Sequence, residues 1–314
     1  MGTLLSVSEL ERFYEIRRTV FSLKKETVRA VDGVSFDLED AQTLGIVGES
    51  GSGKSTLARC ISFLEPADRG DVTFMGRDWL RVPSKERKTL RPQMGIIFQD
   101  PYSSLNPRKR VARIISEPLE AREGSSQREL LRSKAIEALE DVGLGEDFLD
   151  KYPHEMSGGQ RQRIAIARAL STRPRFLIAD EPVSSLDVSV QAQIINLFLD
   201  LKERLSFAML FISHDLNIVR FISDHVMVMY RGKIMEMGPA EDIFQTPFHP
   251  YTRMLTGRES NGDAPSAEPV LEHQGRPGCV FFSRCPERNK HCQTEVPRLS
   301  GPGSHRAACL QYAP

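Results

Sequence analysis

Residues 48–56, Gly-Glu-Ser-Gly-Ser-Gly-Lys-Ser-Thr, carry the spacing G-x-x-x-x-G-K-[ST]. The pattern suits a loop that wraps phosphate. Gly48, Gly51 and Gly53 let the backbone curl so that successive N–H groups point inward at phosphate, with Ser50 part of the same binding loop. Lys54 adds a point charge for the β- and γ-phosphates, Ser55 offers a hydroxyl to Mg²⁺, and Thr56 closes the loop. A second set of residues suits hydrolysis rather than mere binding. Phe176-Leu-Ile-Ala-Asp180-Glu181 is an apolar run that ends on two carboxylates. Asp180 is placed to hold Mg²⁺, and Glu181, one residue further, to polarise an attacking water as general base. A chain that only bound nucleotide would have no use for Glu181.

A third stretch raises a different question. Met156-Ser-Gly-Gly-Gln-Arg-Gln-Arg-Ile-Ala-Ile-Ala-Arg-Ala-Leu170 predicts a helix whose first turn is built for an anion. Ser157 can cap it, Gly158 and Gly159 bare the backbone N–H groups, Gln160 follows, and Ile164, Ala167 and Leu170 recur at helical spacing. The phosphates held by residues 48–56 are already wrapped. The economical reading is two-fold assembly, in which this helix end covers a nucleotide held by a partner ATPase and the partner returns the contact.

Short apolar runs that end at glycine or at polar residues predict buried parallel strands at Thr43–Val47, Met94–Phe98, Phe176–Ala179 and Ala208–Ile212. Helices are expected at Lys54–Phe63, Gln127–Val142 and Val190–Leu205. The second of these has Leu131, Ala135, Leu139 and Val142 on one face, Ser126 as cap and Gly143 as stop. Strands alternating with helices predict a parallel α/β core, with the helical piece between Gln99 and Ser157 inserted into it. Before that core, Ala30–Leu38 reads as a turn at Gly33 followed by alternating Val34, Phe36 and Leu38. From 257 the chain turns to Gly, Pro, Ser and Glu, a linker, and 279–314 is too short to build a core unaided.

Composition narrows the function classes. The chain has 314 residues, 40% of them apolar, enough for a full core. Lys plus Arg equal Asp plus Glu at 42 each, unlike a protein that lives on nucleic acid. No apolar run of about eighteen residues occurs, and the start has no secretory pattern, so the expectation is a soluble intracellular chain. Of five cysteines, Cys60 sits in a predicted helix as a small apolar residue, and Cys279, Cys285, Cys292 and Cys309 crowd the tail. Their spacing, C-x5-C-x6-C-x16-C, lacks the C-x2-C knuckle usual for zinc and fits neither common ferredoxin pattern. Disulfides are disfavoured in a reducing compartment.

These motifs, in this order, strongly resemble those of the nucleotide-binding subunits of ATP-binding cassette (ABC) transporters over residues from about 10 to 256. The resemblance implies a P-loop NTPase (RecA-like) core with an antiparallel β subdomain and an inserted helical subdomain at about 100–158, residues 1–256 forming the ATPase domain. Met156 stands where the family's L-S-G-G-Q has leucine, a conservative apolar exchange. Gln99 matches the Q-loop that touches Mg²⁺ or the lytic water and faces the membrane subunit. Ser184-Ser-Leu-Asp187 matches the D-loop, with Ser185 where alanine is usual, and His214 matches the switch histidine at the γ-phosphate. An aromatic before the first strands stacks on adenine in this family. Phe13 is favoured over Tyr14, and one sequence does not fix the register.

Thr246-Pro-Phe-His-Pro-Tyr-Thr252, Ile97–Pro107 and the four-cysteine tail resemble the dipeptide and oligopeptide importer branch, whose relatives also import nickel, glutathione and oligosaccharides. Residues 257–314 would then be a linker and a C-terminal extension. In that branch similar tails hold a [4Fe–4S] cluster, which here would cross-link the tail; zinc and free thiols stay open. The resemblance implies a peripheral ATPase at the cytoplasmic face of the cell membrane. Its partners would be a second ATPase subunit (a sister chain or another copy), two transmembrane permease subunits and an external substrate-binding protein. Arg108, Lys109, Arg110 and Arg113 could meet the permease, with a solvated basic face as the plainer expectation. A soluble ABC ATPase of DNA repair or translation would need a long coiled-coil insertion or a second cassette, neither of which the sequence has. A non-hydrolysing regulatory module would not need Glu181 and His214.

Overall fold

The structure is a computed structural model that describes residues 2–17, 25–123, 127–258 and 277–312. Two compact units are present: Met1–Leu4, Leu38–Thr43 and Arg81–Ile212 form one, and Leu5–Asp37, Leu44–Leu80 and Ser213–Pro314 the other. Neither is contiguous in sequence.

In the second unit, β1 (Thr3–Arg17) and β2 (Lys25–Glu39) are long strands of one antiparallel sheet, completed by β4 (Arg69–Phe74) and β5 (Arg77–Asp78) in the order β2-β1-β4-β5. The turn expected at Gly33 is not a chain reversal. β2 runs through Gly33 with φ at 72°, and Ser35 bonds back to Glu9, so the residue kinks a continuous strand. The alternation that follows is as expected, with Val34, Phe36 and Leu38 all buried. The same unit contains β3 (Thr43–Val47), which lies parallel to β9 (His225–Tyr230). Antiparallel β10 (Lys233–Pro239) and the short β11 (Arg306–Ala307) follow. Helix α1 (Lys54–Ile61) leaves the end of β3, and α8 (Leu216–Ile222), α9 (Ala240–Gln245) and α10 (Pro250–Leu255) flank the later strands.

The first unit holds three parallel strands, β6 (Met94–Ile97), β7 (Phe176–Asp180) and β8 (Ala208–Ile212), with β7 in the middle. Every residue of β7 and β8 is buried, which is why they read as continuous apolar runs rather than alternating ones. Between β6 and β7 come α2's successors: α2 itself (Ser84–Leu90) precedes β6, and α3 (Pro101–Ser104), α4 (Val111–Glu123), α5 (Arg128–Asp141) and α6 (Gly158–Leu170) follow it. Helix α7 (Val188–Leu205) joins β7 to β8. Leu131, Ala135, Leu139 and Val142 are buried on α5 as the spacing demands, and Gly143 ends the helix at φ 70°. The expected cap Ser126 lies outside the described residues, as does most of the expected linker, 259–276. Among the described residues no helix is long and apolar enough to cross a membrane.

Trp79 is the single tryptophan and is fully buried in the second unit. Its indole N–H donates to the Ile61 carbonyl at 2.9 Å, and Phe74 meets the ring edge-on at 5.9 Å. The aromatic therefore ties the end of α1 to the antiparallel sheet. Trp79→Ala is expected to cost about 3–5 kcal/mol. Trp79→Phe, which keeps most of the packing but orphans the Ile61 carbonyl, is expected to cost about 1–3 kcal/mol. Urea titrations followed by circular dichroism measure both; a Trp79→Phe variant as stable as the parent would show that the hydrogen bond contributes nothing.

Candidate functional site

The phosphate-type loop begins where β3 ends. Two of its glycines are forced by close backbone approach. A Cβ on Gly48 would sit 2.2 Å from the Met229 carbonyl oxygen, and one on Gly53, at φ 107°, would sit 2.1 Å from that of Ala30. The loop is also laced to the β9–β10 turn, since Gly232 N–H donates to Ser52 O at 2.9 Å. Lys54 is 5% exposed although it is charged. Its ammonium donates to Gly48 O at 2.7 Å, Glu49 O at 2.9 Å and the Ser52 hydroxyl at 3.3 Å, which satisfies its three donors. Ser55 and Thr56 are half-buried in the first turn of α1, and Ser50 and Gly51 are exposed at the loop's tip. The loop amides and the N-terminus of α1 make a cradle suited to anionic oxygens.

His214 belongs to the same unit. It follows Ser213, whose N–H donates to Ile46 O at 3.2 Å, so the exposed histidine comes one residue after a backbone tie to β3. Phe13 and Tyr14 diverge on β1. The Tyr14 hydroxyl is bonded to Glu65, whereas the Phe13 ring faces the Arg29 guanidinium, 5.3 Å from its centroid. Arg29 precedes Ala30, the residue whose carbonyl abuts Gly53.

The carboxylates sit in the first unit. Asp180 is the last residue of β7 and is buried. Glu181 comes one residue later, at φ 46°, a left-handed conformation that a glutamate adopts only under constraint. That constraint is visible: Glu181 N–H donates to Ile212 O at 3.0 Å, and its carbonyl accepts the Ser184 hydroxyl at 3.1 Å. The side chain is then aimed at Gln99, whose amide donates to Glu181 Oε2 at 3.1 Å. Two residues singled out separately, 82 positions apart, are thus joined.

The helix end at 157–160 is as expected. Ser157 and Gln160 form a reciprocal capping box, with Gln160 N–H on Ser157 Oγ at 3.3 Å and Ser157 N–H on Gln160 Oε1 at 3.0 Å. This engages the acceptor oxygens of Ser157 and Gln160 and leaves the first-turn backbone at Gly158 and Gly159. A Cβ on Gly159 would sit 2.8 Å from Val190, so α7 approaches too closely for any other residue there. Met156 is buried, as the leucine it replaces would be. Asp187 is exposed at the start of α7, and its carboxylate makes no capping bond. The turn before it is held by Gln191, whose amide donates to Val183 O and Leu186 O, each at 3.0 Å.

In the tail, Cys279, Cys285, Cys292 and Cys309 line one small cavity with His249, Phe282, Pro297 and Leu310. Burial pushes the Cys279 thiol up to about 11 and that of Cys285 to about 12, with Cys309 shifted the same way. Among the described residues no three His, Cys, Asp or Glu side chains are grouped as ligands of a metal ion. Cys60, by contrast, is fully buried in α1 as a small apolar residue. The basic run is not a bare patch: Lys109 pairs with Glu117, Arg110 with Asp150 and Arg113 with Glu120.

Two residues beside the loop escaped the reading of the sequence. Arg284 forms a two-pronged ion pair with Glu49, at 2.8 and 2.9 Å, and Tyr251 accepts the Glu49 N–H at 3.1 Å. They stand 235 and 202 positions from Glu49, and no local pattern carries that information.

Known proteins resemble this chain in sequence and fold. Residues 31–184 match the model of the ABC transporter family, and 235–292 match that of the oligopeptide/dipeptide transporter C-terminal region. The chain is 42% identical to a di/tripeptide transport ATP-binding protein of Pseudomonas aeruginosa, covering 98% of each. It is 44% identical to an oligopeptide transport ATP-binding protein of Bacillus subtilis, covering 99% of this chain and 98% of that one. Among solved structures, the dimeric ATP-binding cassette MJ0796 in a post-hydrolysis state with ADP and Pi is 26% identical at a TM-score of 0.66, covering 75% of this chain and 98% of that one. A phosphate-type loop, a Gln–Glu pair at a strand end, a glycine-led helix end and a near-full-length match all lead to one assignment: this chain belongs to the ABC transporter ATP-binding proteins, in the dipeptide and oligopeptide transport group.

Proposed function

We propose that the chain is the ATP-hydrolysing subunit of an ABC importer for di- or oligopeptides, attached to the cytoplasmic face of the cell membrane through its permease partners. Nickel, glutathione or oligosaccharide is the alternative cargo, since the ATPase does not touch what is carried. The observation that carries the catalytic part of this reading is the Gln99–Glu181 hydrogen bond at 3.1 Å on a strained Glu181.

The residues fit ATP and Mg²⁺ on chemical grounds. The cradle of Gly48, Ser50, Gly51, Gly53, Lys54, Ser55 and Thr56 tolerates no Cβ at Gly48 or Gly53 and contains a buried cation. Ser55, Gln99 and Asp180 offer the hard oxygen ligands that Mg²⁺ prefers. When bound, the ion neutralises phosphate charge and helps align the scissile bond. In this reading Lys54 exchanges its loop carbonyls for phosphate oxygens. Glu181 takes a proton from the attacking water, Gln99 orients the Glu181 carboxylate, and His214 donates to the γ-phosphate. Phe13, turned towards the Arg29–Ala30 side of the loop, stacks on adenine in preference to Tyr14. Residues 1–256 form the ATPase domain, with the helical insertion at about 100–158.

The first-turn amides of α6, together with Asp187, cover the nucleotide of a second ATPase subunit, which answers the question raised by two anion-binding helix ends in one chain. An apolar groove in the first unit, lined by Met94, Ile96, Phe98, Pro118, Ala121 and Ala169, adjoins the strand that leads to Gln99 and is where the permease docks. The pairing of Lys109, Arg110 and Arg113 with acids argues against a docking role for that run. Closure of two such subunits would move the permeases between their inward- and outward-facing states, and an external binding protein would deliver the cargo. In the tail, four thiols around one cavity are the residues that would hold a [4Fe–4S] cluster, in preference to zinc. An all-thiol donor set suits such a cluster, whose part would be to cross-link the tail.

Glu181→Gln is expected to keep Mg²⁺-ATP binding within about threefold and to lower kcat by about 10³-fold, consistent with loss of a general base. Unchanged turnover would remove Glu181 from that role. Phe98→Asp is expected to leave ATP binding by the isolated chain intact and to abolish co-purification of the permeases from membranes; an undiminished complex would show that the groove is not the dock. Anaerobically purified chain is expected to contain iron and acid-labile sulfide in equal amounts, both lost in Cys285→Ser. Zinc without sulfide, or neither, would overturn the cluster.

A further inference from the structure

Every polar group of Glu49, the second residue of the phosphate loop, is engaged within the second unit. Its carbonyl accepts from Lys54 Nζ at 2.9 Å and from Ser52 N–H at 3.1 Å, so it belongs to the local frame of the phosphate-binding lysine. Its N–H is held by the Tyr251 hydroxyl and its carboxylate by both Nη atoms of Arg284, at 2.8 and 2.9 Å. Those two partners come from the C-terminal part of the chain, and Arg284 is the direct neighbour of Cys285.

The clamp is rigid as well as charged. The Arg284 side chain is 12% exposed, and its guanidinium lies 5.7 Å from the Tyr230 ring centroid and 5.8 Å from that of Phe281. Tyr251 is fully buried and packs on the same two rings, at 4.8 and 5.3 Å. A planar fork stacked on aromatics presents both donors in a fixed geometry, which a lysine cannot reproduce. The aromatic trio is itself built into the frame, because Tyr230 ends β9 and Tyr251 opens α10. A loop whose remaining N–H groups must converge on phosphate loses conformational freedom on binding unless something has already fixed it. The fixing here is supplied from outside the loop's own motif.

We propose that Arg284, with Tyr251, is a positioning residue for the phosphate loop: the C-terminal extension holds Glu49, and through its carbonyl Lys54, in the arrangement that binds nucleotide. The proposal rests on the reading of residues 48–56 as the nucleotide loop, and it adds a role for the extension in nucleotide affinity. Arg284 touches no reacting atom, so its removal acts on binding and leaves the chemical step alone. A second consequence separates positioning from charge screening. If Arg284 only masked the negative charge of Glu49 from phosphate, removing both side chains would restore affinity. If it positions the loop, the double variant stays as weak as either single one.

The test uses the full chain with Mg²⁺ and a fluorescent trinitrophenyl-ATP probe, backed by steady-state ATPase rates. Arg284→Ala is expected to weaken probe binding about tenfold, the factor that corresponds to 1.4 kcal/mol, and to raise KM by the same factor with kcat within twofold. Arg284→Lys is expected to recover part of the loss, and Glu49→Gln and the double variant to match Arg284→Ala. Hydrogen exchange without nucleotide should quicken at residues 48–53 in Arg284→Ala and stay unchanged in β9 and β10, which also reports that the variant is folded. Wild-type affinity in Arg284→Ala or in Glu49→Gln overturns the proposal, as does restored affinity in the double variant or a loss confined to kcat. Wild-type chain that binds no probe, with Lys54→Ala behaving identically, overturns the nucleotide reading and this proposal with it.

Discussion

Backbone packed directly on backbone around the loop at 48–53 is the constraint on which the second unit depends. A phosphate cradle needs its N–H groups pointing inward, so it cannot satisfy them by ordinary ladder bonding. The loop is fixed instead from its outer side, by the Ala30 carbonyl against Gly53, the Met229 carbonyl against Gly48, and Gly232 bonded to Ser52. The first two approaches are too close for a side chain. The glycines therefore serve two ends at once: they free the curl of the loop, and they let β2 and the β9–β10 turn press on it. Substituting any of them would disturb the frame before it disturbed a ligand contact.

The chain beyond β10 is tied to that frame through a buried acid. Glu236 is fully buried and accepts the N–H groups of Phe248 and His249, at 2.7 and 2.9 Å, and His305 Nε2 at 2.7 Å. A buried carboxylate is costly unless each oxygen is matched, and here three donors from two distant segments converge on it. His249 is also enclosed, and burial drives its imidazole down to about 4 from an ordinary 6.5. Its Nδ1 then accepts the Tyr251 N–H at 3.0 Å and starts α10. The tail that could not fold by itself has a core after all, supplied by β10 and by the aromatic cluster of Tyr230, Tyr251 and Phe281.

Local chemistry made most of the elements and motifs legible in advance. Strands β3, β7 and β8 are buried on both faces, so composition alone marks them, and the capping box of α6 is written in four consecutive residues. What local chemistry does not encode is which distant segments meet. Gly33 shows the limit at short range: glycine signals φ > 0, and both a reversal and a kink in one long strand use it, so only pairing with β1 decides. Arg284 shows it at long range. Its stretch was recognisable as a branch marker, yet nothing in Ser283-Arg284-Cys285 says that its partner is a glutamate in the phosphate loop.

The strained residue at the proposed catalytic position ties these threads together. Glu181 adopts φ 46° immediately after β7, and such a conformation survives only where the surroundings over-determine it. Its N–H is taken by β8, its carbonyl by Ser184, and its carboxylate by Gln99. Released from this conformation, the side chain would leave Gln99. The strand end and the following turn thus act as one device, with the turn fixing the backbone and the backbone aiming the carboxylate. The hydrogen bond couples the two segments in both directions: whatever shifts Gln99 must either carry Glu181 with it or let it go.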